Sequence, residues 1–169
     1  MAFNFTFADN QRLGLQIVGA NSTGTSEQPI GFKRIVVDND NNVAGEVMYI
    51  GQGENSAYKL GLGGSFYIND KGVATAKNAA GAPIFGVYIK DGNGDYIQTG
   101  GVAYVQVDAA LTEGEKVYYN SSNGKISSSY SGTIEIKGAI AGDPNNKISV
   151  NIGGTPTDLY PIYLNNATL

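Results

Sequence analysis

The chain reads as an all-β protein: a small antiparallel β-sandwich or barrel of short strands, built as one or two β portions, with extended N- and C-terminal arms. Three observations lead there. Apolar residues recur at period two, as in a strand that buries one face. Turn-forming residues interrupt that alternation about every eight to twelve positions, the spacing of short antiparallel strands. The composition is turn-rich, with 24 glycines in 169 residues and only 15% charged residues, which suits pleated strands and tight bends better than solvated helices.

Phe3, Phe5 and Phe7 alternate with Asn4 and Thr6, so the N-terminus predicts a strand with one aromatic face. Such a strand either completes the chain's own sheet or docks as an arm on a neighbouring subunit. Residues 13–18 form a second candidate strand. Residues 21–29 are a polar loop, 32–37 a strand of alternating and β-branched character, and 38–42 a turn of Asp and Asn. A short strand at 46–51 leads into the glycine-rich stretch 51–64. There Tyr58, Leu60 and Leu62 alternate, consistent with one irregular edge strand.

Phe66-Tyr67-Ile68 is a strand, followed by a hairpin turn at 69–72. The alanine-rich residues 74–80 are either the one weak helix candidate or loop filler. A strand at 84–90 and another at 96–99 flank Asp91-Gly92-Asn93-Gly94-Asp95, a strong hairpin signal because Asp-Gly and Asn-Gly tolerate positive φ.

Between residues 101 and 154 the pattern is sharpest. Val102, Tyr104, Gln106 and Asp108 alternate with Ala103, Val105 and Val107. Strands at 116–119, 133–140 and 147–152 follow, separated by turns at Asn123-Gly124 and Asp143-Pro144-Asn145-Asn146. The order of elements over 65–107 is echoed over 116–152, either as an internal duplication or as the likeness of any two meanders of short strands. The tail, 155–169, is held extended by Pro156 and Pro161. Its Leu159, Tyr160, Ile162, Tyr163 and Leu164 are too apolar for a solvated linker, so it should lie across a surface, its own or a neighbour's.

The divisions are therefore 1–20 as an N-terminal strand or arm, 21–100 as a first β portion, 101–154 as a C-terminal β module and 155–169 as a tail. On this reading, deleting 1–7 or 156–169 weakens assembly more than it lowers the melting temperature of the body.

Composition excludes several chemistries. The chain has no histidine and no cysteine, which removes the commonest general base, the thiol nucleophile and ordinary zinc sites. A net charge of −4 argues against duplex nucleic acid as a partner. No apolar run is long enough to span a membrane, and the N-terminus lacks the pattern of a signal peptide. No enzymatic activity and no cofactor are expected.

Asp38, Asp40 and Asn42 have the spacing of calcium-loop ligands, but Val43 stands where the loop needs glycine and Tyr49 where it needs the bidentate glutamate. Asp91, Asn93 and Asp95 fail in the same way at Tyr96. Both read as acidic turns, so the melting temperature should not rise when calcium is added, which differential scanning fluorimetry would check. Glu113 and Glu115 flank Gly114 on a predicted turn with no cleft implied, so paired-carboxylate chemistry does not follow. The glycine-rich segments do not open into a helix carrying Lys-Ser/Thr, which excludes a phosphate-cradling loop. Tyr58, Tyr67, Tyr118, Tyr119 and Tyr130 could stack on sugars, but packing and interface anchoring suit them better. The candidate interface residues are Phe3, Phe5, Phe7, Tyr118, Tyr130, Leu159, Tyr160, Ile162 and Tyr163.

The run Gly101, Val102, Val105, Leu111, Gly114, Val117, Tyr118, Gly124, Lys125, Ile126, Ile136, Gly138, Ala139, Ile148, Val150 and Ile152 resembles the capsid-decoration, or structural cement, proteins of tailed bacteriophages. It covers about the C-terminal third of the chain. The resemblance implies a structural virion protein on the capsid exterior, made in the host cytoplasm, that stabilises contacts between subunits of the major capsid protein. It implies a homo-oligomer, with a trimer favoured, and neither nucleic acid nor membrane as partner. The other reading is a receptor- or carbohydrate-binding β module of a phage head or tail fibre.

Overall fold

A computed structural model describes residues 2–4, 16–18, 31–37, 43–51, 60–68, 74–77, 84–91 and 94–169. The predicted loop at 21–29, the turns at 38–42 and 69–72, and Phe5, Phe7 and Tyr58 lie outside the described residues.

The all-β, antiparallel expectation holds. The strands are β1 (Ala2–Asn4), β2 (Gln16–Val18), β3 (Lys33–Val37), β4 (Val43–Gly51), β5 (Gly63–Ile68), β6 (Ala74–Lys77), β7 (Ile84–Asp91), β8 (Gly94–Val105), β9 (Lys116–Tyr119), β10 (Ile126–Ser127), β11 (Ile134–Ala141), β12 (Ile148–Ile152) and β13 (Thr155–Thr168). A 3₁₀ turn at Pro144–Asn146 stands where the Asp-Pro-Asn-Asn turn was expected, with the Asp143 carboxylate accepting from the Asn145 amide at 2.8 Å. Of the weak helix candidate at 74–80, residues 74–77 form a strand paired with β5, and the rest lies outside the described residues.

Among the described residues the hydrogen-bonded order runs β1-β2-β3-β4-β8-β13-β11-β9-β10, with β12 beside β13, and with β7, β5 and β6 branching from β8. This sheet curls without closing into a barrel. The β5 branch approaches the β10 end where the Gly63 amide donates to the Gly124 carbonyl at 2.9 Å, but no ladder joins β5 to β10. Inside the curl sits the main core among the described residues, built from Phe85, Val105, Val117, Tyr119, Ile126, Ile136, Ile162, Leu164 and their neighbours. Phe85 meets the Tyr119 ring edge-on at 5.7 Å between centroids. A second core lies between the β12–β13 hairpin and the β4–β8–β7 strands, joining Val150 and Leu159 to Tyr49, Ile89 and Tyr96. A third, around Met48, Phe66, Tyr88 and Ile97, occupies the opposite face of those strands.

The boundary expected at residue 100 falls inside one twelve-residue strand, β8. The chain bends there and continues. Opposite β4 the register slips between Glu46 and Val47, so Thr99 is the extra residue of a bulge, and Gly101 takes φ 83. The buried Gln98 side chain holds the bend by donating to the carbonyls of Gly100 (3.0 Å) and Val102 (2.7 Å). The bend changes which residues face inward, so that Ala103 and Val105 reach the main core.

The expected C-terminal arm is instead a fourteen-residue strand within the sheet. β13 pairs with β12 through Thr155–Leu159, with β8 through Tyr160–Asn165 and with β11 through Ile162–Thr168. Gly153 (φ 57) and Gly154 (φ 88) form the two-residue turn that a tight hairpin requires, so the 154/155 division is a bend between paired strands. Pro161 is tolerated in mid-sheet because it faces the gap between the end of β11 and the start of β12, where no ladder needs its missing N–H. Its carbonyl accepts from the Gly142 amide at 2.9 Å.

The two halves share a pairing scheme. β5 lies between β6 and β7, and β9 lies between β10 and β11, with Phe66 opposite both Ala76 and Ile84, and Tyr119 opposite both Ile126 and Ile134. The parallel then stops: β7 pairs with the next strand, while β11 passes over β12 to pair with β13.

Candidate functional site

The face of β9, β11, β13 and β8 turned away from the main core carries the candidate site. Lys116 of β9 is opposite Ile140 of β11, Ile140 is opposite Tyr163 of β13, and Tyr163 is opposite Val102 of β8. Cross-strand partners share a face, so these four side chains form one row across four strands. Ile140 and Tyr163 are each 46% exposed, a large apolar exposure for the middle of a sheet.

The row exists because β11 is bulged. Between Glu135 and Ile140 the chain advances along β11 while β9 moves only from Tyr118 to Lys116. Against β13 the register slips again between Lys137 and Ala139, where Asn166 takes φ 47. Gly138, at φ 80, sits at the bulge. Ile136 faces the core before it, and Ala139 and Ala141 face the core after it, which turns Ile140 outward.

A shallow depression of about 440 Å³ opens at this bulge. Gly138 contributes no side chain, and the nearby Ile136, Ala139 and Leu164 belong to the core beneath. Ile140, Tyr163 and Asn165 line it together with Lys116 and Glu135, which are ion-paired at 2.9 Å. The hydrogen bond that Lys116 donates to Glu135, reinforced by the charge of the carboxylate, holds the Lys116 ammonium above its ordinary pKa.

Aromatic rings extend the face at both ends. Tyr118 lies opposite Glu135, and its ring is 6.2 Å from that of Tyr130, which is 76% exposed. At the other end Tyr104, opposite Pro161, is half-buried; burial and then the neighbouring Tyr163 push its hydroxyl above the usual tyrosine range. Its phenol remains a neutral hydrogen-bonding group across ordinary pH.

Of the residues expected at an interface, the structure brings Tyr118, Tyr130 and Tyr163 to this face. Phe3 lies in β1 opposite Ile17. Tyr160 is half-buried, with the Lys147 ammonium 5.9 Å from its ring centre and Lys147 bonded to Asp158 at 2.6 Å. Leu159 and Ile162 are corrections: both are 0% exposed, held in two different cores, so neither can anchor a partner. Their apolar character reflects burial within the chain's own sheet. Ile140, Val102, Tyr104, Lys116 and Glu135 were not legible as site residues. Their common face depends on strand pairings distant in sequence and on a bulge that reverses the alternation.

Among the described residues no three Asp or Glu side chains gather as a metal site requires. Asp91 and Asp95 are strand residues paired with Gly94 and Lys90. Asp108 serves a loop, accepting from the amides of Asn120 (2.8 Å) and Asn123 (3.3 Å). Among the described residues no helix is long and apolar enough to cross a membrane.

Comparison of the chain with protein-family models, curated proteins and solved structures found no match. The glycines of the C-terminal motif are nevertheless physically explicable: Gly101, Gly114, Gly124 and Gly138 all take positive φ, at turns or bulges.

Proposed function

We propose that this chain is a non-enzymatic structural protein that decorates the exterior of a tailed-phage head and stabilises contacts between capsid subunits. The observation that carries the reading is the Lys116–Ile140–Tyr163–Val102 row on the face of the sheet turned away from the main core. Tyrosines with an apolar centre and an ion-paired polar rim are the chemistry of a protein-contact surface. Such a surface is useful on a particle, where symmetry repeats a modest contact many times. The likeness of the 101–152 segment to capsid-cement proteins supports the same assignment. So does a sequence without imidazole or thiol, since clamping subunits requires neither.

The test uses expanded heads assembled from the major capsid protein encoded in the same genome and free of accessory proteins. The purified chain is expected to bind them saturably, at a fixed ratio to capsid subunits, as measured by co-sedimentation. Decorated heads should resist heating better than bare ones. Absence of binding, together with retention on a glycan array, would replace this reading with the receptor-binding one.

A further inference from the structure

Asn123-Gly124 is one of two Asn-Gly pairs in the chain, the other being Asn93-Gly94. Such a pair can modify itself. The glycine amide nitrogen, which no Cβ shields, loses its proton and attacks the asparagine Cγ. An N–Cγ bond forms, the Cγ–Nδ2 bond breaks, and ammonia leaves with the proton. Water then opens the resulting succinimide at either carbonyl, giving aspartate or isoaspartate.

In the folded chain the reacting groups are all engaged. The Gly124 amide, the nucleophile, donates to the Asn120 carbonyl at 2.8 Å. The Asn123 side-chain oxygen accepts from the Lys125 amide at 2.9 Å, and its nitrogen, the leaving group, donates to an Asp108 carboxylate oxygen at 3.3 Å. The same Asp108 oxygen accepts from the Asn120 side chain at 2.8 Å, which ties both ends of the turn to one anchor. Attack requires these bonds to open first.

The turn also joins two parts of the sheet. The Gly124 carbonyl accepts from the Gly63 amide at 2.9 Å, where the β5 branch meets the β10 end. The fit there is close: a Cβ on Gly124 would lie 3.3 Å from both the Gly63 oxygen and the Leu62 Cβ. Isoaspartate routes the main chain through Cβ and Cγ, which adds a carbon to the backbone just before Gly124. Either product also leaves a carboxylate beside Asp108, and two carboxylates sharing a site repel.

We propose that Asn123-Gly124 is a deamidation site held closed by the hydrogen bonds to Asp108 and Asn120, and that its conversion to isoaspartate parts Gly124 from Gly63. A chain whose turn stays open long enough to react cannot close it again, so the modification is an irreversible record of that opening. This holds whether or not the protein decorates capsids.

The experiment incubates the full chain in mildly alkaline buffer and follows residue 123 by peptide mass mapping, with electron-transfer fragmentation to separate isoaspartate from aspartate. In guanidinium chloride, Asn123 and Asn93 should deamidate at similar rates. Folded, Asn123 should react at least about tenfold more slowly than unfolded. Asp108→Ala removes the acceptor of the Asn123 amide and should speed the folded reaction about 3- to 10-fold, as expected for losing a bond to a charged group at an exposed site. Circular dichroism checks that this variant is folded, and Asp108→Ser replaces it if it is not. In an Asn93→Gln background, chain aged in denaturant and refolded yields the isoaspartate form. It should melt lower than Asn123→Asp, which carries the charge without the added carbon, or fail to refold. Equal rates in folded and unfolded chain, or no change in a folded Asp108 variant, would overturn the protected site. An isoaspartate form melting no lower than Asn123→Asp would overturn the parting of Gly124 from Gly63.

Discussion

Deleting Thr155–Leu169 is expected to abolish cooperative folding, leaving a chain with no sigmoidal urea transition and with strong binding of a hydrophobic dye. The reason is the position of β13. It pairs with β8, β11 and β12, so its loss leaves β12 unpaired and strips one ladder each from β8 and β11. It also removes Ile162, Leu164, Ala167 and Leu169 from the main core and Leu159 from the second. A single large-to-small change at either of the two fully buried positions, Leu159→Ala or Ile162→Ala, should cost about 2–5 kcal/mol. Removing all five buried groups together exceeds the roughly 5–15 kcal/mol that holds a domain folded. An arm would behave in the opposite way, with assembly weakened and the body's melting temperature unchanged. A truncated chain that retains a sharp transition near the full-length midpoint would contradict the central placement of β13.

Gly138→Val is expected to destabilise the protein by roughly 3–5 kcal/mol, read as a fall in the urea midpoint at unchanged slope. Two costs combine. At φ 80 a β-branched side chain is strained, and a Cβ at this position would sit 2.6 Å from the carbonyl oxygen of Asn165. Backbone on both sides of the bulge would have to move, disturbing β13 and the outward turn of Ile140. Gly132→Val separates the two costs. It has a similar φ, 71, but nothing lies within 4 Å of a Cβ placed there. It should cost only about 1–2 kcal/mol, the price of the dihedral alone. Equal losses at the two positions would show that the Asn165 contact relaxes without penalty.

Much of the fold was legible because its causes are local. The strand at Lys116–Tyr119 was located residue for residue, and those at β7, β11 and β12 to within a residue or so, because alternation ended at residues that make turns. The Asp-Pro-Asn-Asn turn formed where its chemistry indicated. The tail shows where such reading stops. Two prolines and a mixed apolar run fit an extended segment equally well on a surface or inside a sheet. Only its partners separate the cases, and Tyr104, its neighbour across β8, is more than fifty positions away from Pro161. Alanine at 74–77 was equally uninformative, since its small side chain follows whichever ladder is offered.

The candidate site was legible only in part. Tyr118, Tyr130 and Tyr163 were marked by their chemistry, but the same criterion marked Leu159 and Ile162, which are core. Apolar character gives the strength of a residue's preference for leaving water without saying whether it leaves by burial in its own chain or against another.

Pleated structure, the places where the chain turns, and the lack of imidazole and thiol chemistry were all written into local order and composition, where each residue acts on its immediate neighbours. Which strand is central, where the sheet bends, and which face stays outside followed from pairings between remote segments and from bulges at Thr99 and Gly138. A bulge shifts alternation by a residue, and that shift reverses the facing of everything beyond it, so inside and outside are properties of the assembled sheet.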